Sequence, residues 1–336
     1  MISMNPIKNS SVDFSLIMPA FNEEGNIGPL VERIEKVMSG ISCSYEIIVV
    51  NNGSNDSTPF VLEKLLKTYP QLVAITLTRN FGYDGAIIAG LENSRGKKII
   101  IMDGDQQDPP EVIPEFISKS EEGFDIVYGI RSKRTEGWFI SVQIKIFYRL
   151  IGKIVNFDLP RDAGNFGIIT REVVDIINDM PERNKFIRGL RAWSGLSSTG
   201  LVYNRNNRPS GESKFSFFSY FNNALNGITS FSTVPLRLFT YAGIFGICVS
   251  LLTALFFFVT KLGEILGYSL LEYKIASGST TLGILLLAAI SLNFLGFGVV
   301  GEYVGRIFEE VKNRPYYLIR KVAYGRNIES VEEDPP

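Results

Sequence analysis

With 336 residues, 45% of them hydrophobic, the chain has room for one large or two modest domains. Its 34 basic and 35 acidic side chains leave a net charge of −1, which excludes a dedicated nucleic-acid binder, since such proteins carry a marked basic excess. Histidine is absent, which excludes Ser-His triads, histidine metal sites and histidine general bases together, while two distant cysteines, Cys43 and Cys248, offer neither a disulfide framework nor a zinc site and fit a reducing compartment.

Residues 1–11 are polar, and the apolar stretch 14–18 is too short for a signal peptide. Val12-Asp13-Phe14-Ser15-Leu16-Ile17-Met18 reads as a first strand, stopped by Pro19. A polar loop, Pro19-Ala20-Phe21-Asn22-Glu23-Glu24-Gly25-Asn26, leads into a helix with Ile27, Leu30, Val31, Ile34, Val37 and Met38 on its apolar face. Glu46-Ile47-Ile48-Val49-Val50 is a second, buried strand. It ends in a turn, 51–58, whose Asp56 or Ser57 can cap a helix over 59–69. A third strand at 72–78 precedes Arg79-Asn80-Phe81-Gly82 and a helix of small residues reaching Glu92. The fourth strand, 98–102, runs into Asp103-Gly104-Asp105-Gln106-Gln107-Asp108-Pro109-Pro110, and a fifth is predicted at 124–129.

Four successive strand ends thus carry Asn, Asp, Glu or Arg, the pattern of a ligand cleft along the carboxyl edge of a parallel sheet. A bend at Gly104 can turn Asp103 and Asp105 towards one hard cation, Mg²⁺ or Mn²⁺, of the kind that bridges to substrate phosphates. The alternative is a plain surface turn, for which Asp, Gly and Pro are the usual residues. Neither the Gly-x-Gly-x-x-Gly of a dinucleotide fold nor a P-loop is present.

Beyond Gly129 the character changes. Arg131, Lys133 and Arg134 form a basic loop. Residues 140–157 and 215–231 read as amphipathic helices, interfacial at a membrane or simply packed. The stretches 238–260 and 275–301 carry no charge, 23 and 27 residues, and each can cross a hydrocarbon core of about 30 Å. Arg306, Lys312, Arg314, Arg320 and Lys321 follow the second, which places both termini and the catalytic domain in the cytoplasm by the positive-inside rule, on an inner (plasma) membrane. The expected division is a catalytic domain over 1–212, juxtamembrane helices over 213–234, a two-helix hairpin over 235–304 and a cytoplasmic tail over 305–336.

Pro19-Ala20-Phe21-Asn22-Glu23-Glu24, Asn52-Gly53-Ser54-Asn55-Asp56-Ser57-Thr58, Arg79-Asn80-Phe81-Gly82 and Asp103-Gly104-Asp105-Gln106-Gln107-Asp108 resemble inverting GT-A glycosyltransferases. More narrowly they are similar to the polyisoprenyl-phosphate glycosyltransferases, a resemblance that continues through Arg205-Asn206-Asn207-Arg208 and Gly211-Glu212-Ser213-Lys214-Phe215 into the paired membrane helices. The resemblance implies an α/β, Rossmann-like GT-A domain with a mostly parallel sheet, followed by interfacial helices and two transmembrane helices. It implies that Pro19, Ala20, Asn22, Glu24, Asn52 and Gly104 line the nucleotide site. Position 52 is usually Asp in the family, and Asn can donate as well as accept. The structural alternative for Asn22 and Glu24 is helix capping. The resemblance places Asp103, Asp105 and Gln107 around Mg²⁺ or Mn²⁺ on the diphosphate. Asp162 is placed near the reacting centre, in a stretch whose second family Asp is here Asn165.

The implied acceptor is a polyprenyl phosphate, which also accounts for the missing histidine. A phosphate monoester has its second pKa near 6 and is already largely anionic at neutral pH, so no base is needed to activate it. Arg131, Arg205, Arg208 and Lys214 are the candidate cations for the two phosphate groups, with contact to lipid headgroups as their alternative. The donor is expected to be UDP-glucose, with GDP-mannose as the alternative, because Phe81-Gly82, Trp138-Phe139 and Ile228-Thr229-Ser230-Phe231-Ser232 resemble bacterial glucosyltransferases. A processive polysaccharide synthase and a non-catalytic membrane scaffold are the other readings. Gly243, Gly246, Gly296 and Gly298 permit close helix packing, hence a homo-oligomer, a tetramer among the options.

Overall fold

The computed structural model describes residues 12–132, 163–182, 185–206, 234–266 and 278–325. The chain divides into two compact units, one formed by 1–227 with 314–336 and the other by 228–313. In the first, strands and helices alternate: β1 (Val12–Ala20), α1 (Ile27–Met38), β2 (Tyr45–Asn51), α2 (Thr58–Thr68), β3 (Leu72–Leu77), α3 (Gly82–Glu92), β4 (Gly96–Ile101), α4 (Ile113–Glu121), β5 (Ile126–Arg131), β6 (Ala163–Thr170), α5 (Arg171–Asp179), α6 (Ile187–Trp193), β7 (Ser198–Tyr203) and finally β8 (Ile319–Tyr324).

Among the described residues these strands form one sheet in the order β7-β5-β6-β4-β1-β2-β3-β8. Its centre is parallel, with β1 between β4 and β2 and β3 outside β2; β5 and β7 are also parallel. Strand β6 runs antiparallel to both β4 and β5, and β8 antiparallel to β3. Helices cover both faces, which is why the central strands are continuously apolar rather than alternating. Leu16, Met18, Ile47 and Val49 share one core with Leu30, Val31 and Ile34 of α1, Leu62 of α2 and Phe116 of α4. Helix α3 lies on the opposite face, against β1 and β2. It approaches so closely that a Cβ on Gly90 would stand 2.4 Å from Ile17 Cγ2, the packing reason for its run of small residues.

Pro19 does not stop β1, contrary to the sequence expectation. The strand continues through Pro19↔Val50 and Ala20↔Asn51. On the other side the ladder with β4 ends at Ile17↔Ile101, and Pro19 faces that side, so its missing N–H leaves no ladder bond unmade. Ser57 makes no side-chain cap on α2; Asp56 Oδ1 instead accepts from Thr58 N at 3.0 Å.

The segment read as a tail holds β8. Val73↔Tyr324, Ala74↔Ala323 and Ile75↔Val322 are paired, Thr78 N donates to Leu318 O at 2.9 Å, and Gly325 N donates to Leu72 O at 2.8 Å. The Tyr317 hydroxyl adds a hydrogen bond to the Glu92 carboxylate at the end of α3.

The second unit contains two long helices, α7 (Val234–Ile265) and α8 (Gly278–Val311), of 32 and 34 residues. Among the described residues no helix is long and apolar enough to cross a membrane. Both helices nonetheless hold long uncharged runs, 238–260 in α7 and 278–301 in α8. Large apolar side chains stand exposed on each, Phe245, Phe294 and Phe297 each at 71%. The predicted amphipathic helices at 140–157 and 215–231 lie outside the described residues, as do Asp162, Arg208 and Lys214.

Candidate active site

The register aligns the carboxyl ends of four strands. Ala20 pairs with Asn51 and Asn51 with Thr76, while Met102 N, just past β4, donates to Ile17 O at 3.1 Å. The polar loops after β1, β2, β3 and β4 therefore lie side by side.

The first three loops are stitched together by their own side chains. Asn22, in the left-handed region at φ 57°, donates its backbone N–H to Ser54 Oγ (3.0 Å) and accepts from Asn55 N (2.8 Å); short polar side chains tolerate that backbone best. Glu24 Oε2 accepts from Ser57 N at 2.8 Å, at the start of α2, where the helix dipole favours a carboxylate. Ala20 O accepts from Asn52 N at 2.8 Å.

Asn52, only 4% exposed, is occupied on every side. It donates to Asn80 Oδ1 (3.2 Å) and Gly82 O (2.8 Å), and its Oδ1 accepts from Phe81 N (2.9 Å). Its carboxamide thus shapes the 80–82 loop. An Asp could accept from Phe81 but could not donate to Gly82 O. Asn52→Asp is therefore expected to destabilise the protein by about 2 kcal/mol, the cost of an unpaired buried carbonyl beside a buried charge. Thermal unfolding of the two proteins checks this.

The fourth loop carries the acidic cluster. Gly104 sits so close to β1 that a Cβ would meet Pro19 O at 2.7 Å, and Gln106 takes φ 63° as the chain reverses. This tight bend brings Asp103 and Asp105 to the cleft, each partly exposed. Asp105 Oδ1 accepts from Gln107 N at 3.1 Å, and Gln107 O accepts from Asn206 N at 2.9 Å, which ties the loop to the segment after β7. Arg205 of that segment reaches Asp103 Oδ2 at 3.0 Å and Asp108 Oδ1 at 3.4 Å.

Asp108 lies beneath, 1% exposed. Burial, then the neighbouring Asp103, pushes its carboxyl up to about 6, against Arg205, Tyr203 and Arg131. Tyr203 donates to Asp108 Oδ1 at 2.7 Å, and its ring stands edge-on to Phe166, which meets Phe116 in the same manner, so the core fixes this floor. Arg131, at the end of β5, faces the same floor. Burial works to lower its pKa, but Tyr203, Asp108 and Asp103 outweigh burial and raise it, so it stays charged. Its Nε is buried without a hydrogen-bond partner.

The structure thus brings together Asp103, Gly104, Asp105, Gln107, Arg131 and Arg205 as expected candidates, with Pro19 and Ala20 at the end of β1 and Asn22, Glu24 and Asn52 in the adjoining loops. The sequence reading gave no role to Asp108, Tyr203 or a neighbouring group at the start of α3. There Tyr83 donates its hydroxyl to Asp103 Oδ1 at 2.6 Å. Arg188 Nε donates to Asn165 Oδ1 at 2.8 Å, and the buried Arg191 donates to Gly164 O at 2.9 Å. Burial pulls Arg191 down to about 10, helped by the charge of Arg188. Asp84 is pushed up to about 6 by burial, against Arg188, the Ile187 N–H and Arg191.

A carboxyl raised from 3.8 to about 6 contributes stability that is fully present below 3.8 and lost as pH rises to 6. Thermal midpoints are therefore expected to fall more steeply between pH 4.5 and 6.5 in the wild type than in Asp84→Asn. Equal slopes would show that Asp84 keeps an ordinary pKa.

A divalent cation is compatible with the cluster. Asp103, Asp105 and the Gln107 amide supply hard oxygen donors of the type Mg²⁺ and Mn²⁺ select. Among the described residues there is no group of three or more carboxylate, thiol or imidazole side chains able to hold a metal ion. Such an ion would therefore rely on at most two carboxylates, with phosphate oxygens and water completing its shell.

Comparison with known proteins places this site in context. The family described as Glycosyl transferase family 2 matches residues 15–177. The chain is 38% identical over 313 residues to an uncharacterized glycosyltransferase of Synechocystis sp., covering 92% of this chain and 95% of that one. It is 39% identical over 308 residues to the SfII prophage-derived bactoprenol glucosyl transferase of Shigella flexneri, covering 91% and 97%. Among solved structures, glucosyl-3-phosphoglycerate synthase from Mycobacterium tuberculosis, in complex with Mn²⁺, UDP-glucose and phosphoglyceric acid, is 18% identical over 66% of this chain and 79% of that one, with a TM-score of 0.42.

Proposed function

This chain belongs to the glycosyl transferase family 2 enzymes, in the branch of the polyisoprenyl-phosphate glycosyltransferases, and from that premise we propose that it transfers glucose from UDP-glucose to a polyprenyl phosphate such as undecaprenyl phosphate. The observation that carries the reading is 39% identity, over 91% of the chain, to a relative named as a bactoprenol glucosyl transferase. The acidic loop after β4, opposite two arginines, supports it.

Asp103 and Asp105, with Gln107, would hold Mg²⁺ or Mn²⁺ against the donor diphosphate. The bound ion would neutralise charge on the departing nucleoside diphosphate. Arg205, which pairs with Asp103 and Asp108, is placed to exchange those carboxylates for diphosphate oxygens when the donor enters. Arg131 offers a charged guanidinium with an unpartnered Nε to the acceptor phosphate. Arg208 and Lys214 would be further cations for the two phosphate groups, and Asp162 the orienting or base residue at the reacting centre. The acceptor oxygen is anionic at neutral pH, so it attacks the anomeric carbon directly with inversion, and the protein's main task is to hold two mutually repelling anions in line.

A lipid acceptor also gives the long helices a purpose. The uncharged runs in α7 and α8 would form a membrane hairpin with the catalytic unit and both termini on the cytoplasmic side of the inner membrane. Glycines at 243, 246, 296 and 298 would let copies associate.

Purified protein in detergent, given undecaprenyl phosphate, Mg²⁺ and either labelled UDP-glucose or labelled GDP-mannose, tests the proposal. Label from UDP-glucose in a single lipid product is the expected result. A mannosyl lipid would overturn the donor assignment, a water-soluble polymer the acceptor assignment, and no turnover with either donor the enzyme reading as a whole.

A further inference from the structure

Both oxygens of Asp103 are engaged, but by unlike partners. Oδ2 meets Arg205, on the segment after β7, and Oδ1 receives the Tyr83 hydroxyl. An ion pair to a partly exposed arginine can be exchanged for a diphosphate. The bond to Tyr83 is anchored differently, since Tyr83 follows directly on the 80–82 loop that Asn52 holds from three directions. Two bonds are thus fixed on this side of the cleft, Tyr83 to Asp103 and, beside the phenol, Arg188 Nε to Asn165 Oδ1 at 2.8 Å.

Resting on the metal-dependent reading above, we propose that Tyr83 is a positioning residue for Asp103: its hydroxyl occupies Oδ1 and so presents Oδ2 to the divalent cation, with the 80–82 loop that Asn52 holds fixing the phenol in turn. Partners of this kind around a ligating carboxylate set its orientation, and their loss commonly weakens metal affinity by about tenfold or more. Arg205 leaves Asp103 when donor and cation arrive, whereas Tyr83 stays. The loop that shapes the nucleotide side of the cleft is in this way joined to the first metal carboxylate by a single side chain.

The test reads metal binding rather than turnover. Mn²⁺ affinity is measured by electron paramagnetic resonance of the free ion, in full-length protein saturated with UDP. Tyr83→Phe is expected to weaken Mn²⁺ about tenfold, with the thermal midpoint within about 2 °C of wild type, since the ring and its packing are kept. Unchanged Mn²⁺ affinity in Tyr83→Phe would overturn the role. If wild-type protein binds no Mn²⁺ in a manner lost in Asp105→Ala, the metal-dependent reading itself fails, an outcome distinct from a Tyr83 variant that binds as wild type does.

Discussion

Asp105→Ala is expected to lower glucosyl transfer by on the order of a thousandfold, roughly 4 kcal/mol of transition-state stabilisation, while the protein remains folded. Asp105 is partly exposed, and its Oδ1 accepts from Gln107 N at 3.1 Å within the same turn, so its loss opens no core cavity. What it removes is one of the two carboxylates, Asp103 and Asp105, that the proposed cation would use. With Asp103 alone, the departing diphosphate would keep most of its charge. Initial rates at saturating donor, together with thermal unfolding, check both halves. A loss of only a few fold with an intact fold would mean that the diphosphate is neutralised chiefly by Arg205 and the other cations.

Deleting residues 318–336 is expected to cost on the order of 5 kcal/mol, a large share of the stability of an ordinary domain. The β3–β8 pairing would go, and with it the bonds from Thr78 N to Leu318 O and from Gly325 N to Leu72 O. Each such bond contributes about 1 kcal/mol net. The deletion also leaves β3, rich in apolar residues, as an open sheet edge, the kind of surface that recruits other chains. The truncated protein is expected to aggregate or to unfold well below the wild type in a thermal scan. Wild-type stability would show that the edge strand contributes nothing.

Strand β8 also illustrates what the sequence hides. Ile319-Arg320-Lys321-Val322-Ala323-Tyr324 follows a long uncharged stretch, and its two adjacent cations read naturally as a juxtamembrane tail. Only the empty edge of β3, which no local pattern announces, makes it a strand; its charges then suit an edge position. Strands β6 and β7 are similarly quiet, since Ala163-Gly164-Asn165-Phe166-Gly167 mixes glycine and amide with one large hydrophobe. By contrast Ile47 to Val50 and Ile99 to Ile101 are buried on both faces, and their unbroken apolar runs are legible at once.

The candidate site divides in the same way. Asp103 and Asp105 are visible because carboxylates at a strand end stand out against an apolar strand, Arg131 because it opens a basic loop, and Arg205 through the resemblance carried by Arg205-Asn206-Asn207-Arg208. Asp108 and Tyr203 are not, because their roles come from burial and from a hydrogen bond between residues far apart in the chain. Tyr83 lay within reach, one position beyond Arg79-Asn80-Phe81-Gly82, but its partner Asp103 is twenty residues on and only the sheet order brings them together. Asn52 shows the opposite limit. Its place in the loop after β2 was legible, and its occupation by the 80–82 loop was not.

The measurement that tests the account most directly is the structure of the lipid product. Wild-type protein would be incubated with UDP-α-glucose, undecaprenyl phosphate and Mg²⁺, and the organic-phase product examined by mass spectrometry and by the proton coupling at the anomeric carbon. Direct attack by an acceptor phosphate, with no histidine and no covalent enzyme intermediate, predicts one glucose per lipid in the β configuration. A retained α linkage, or a chain of several sugars on one lipid, would contradict it.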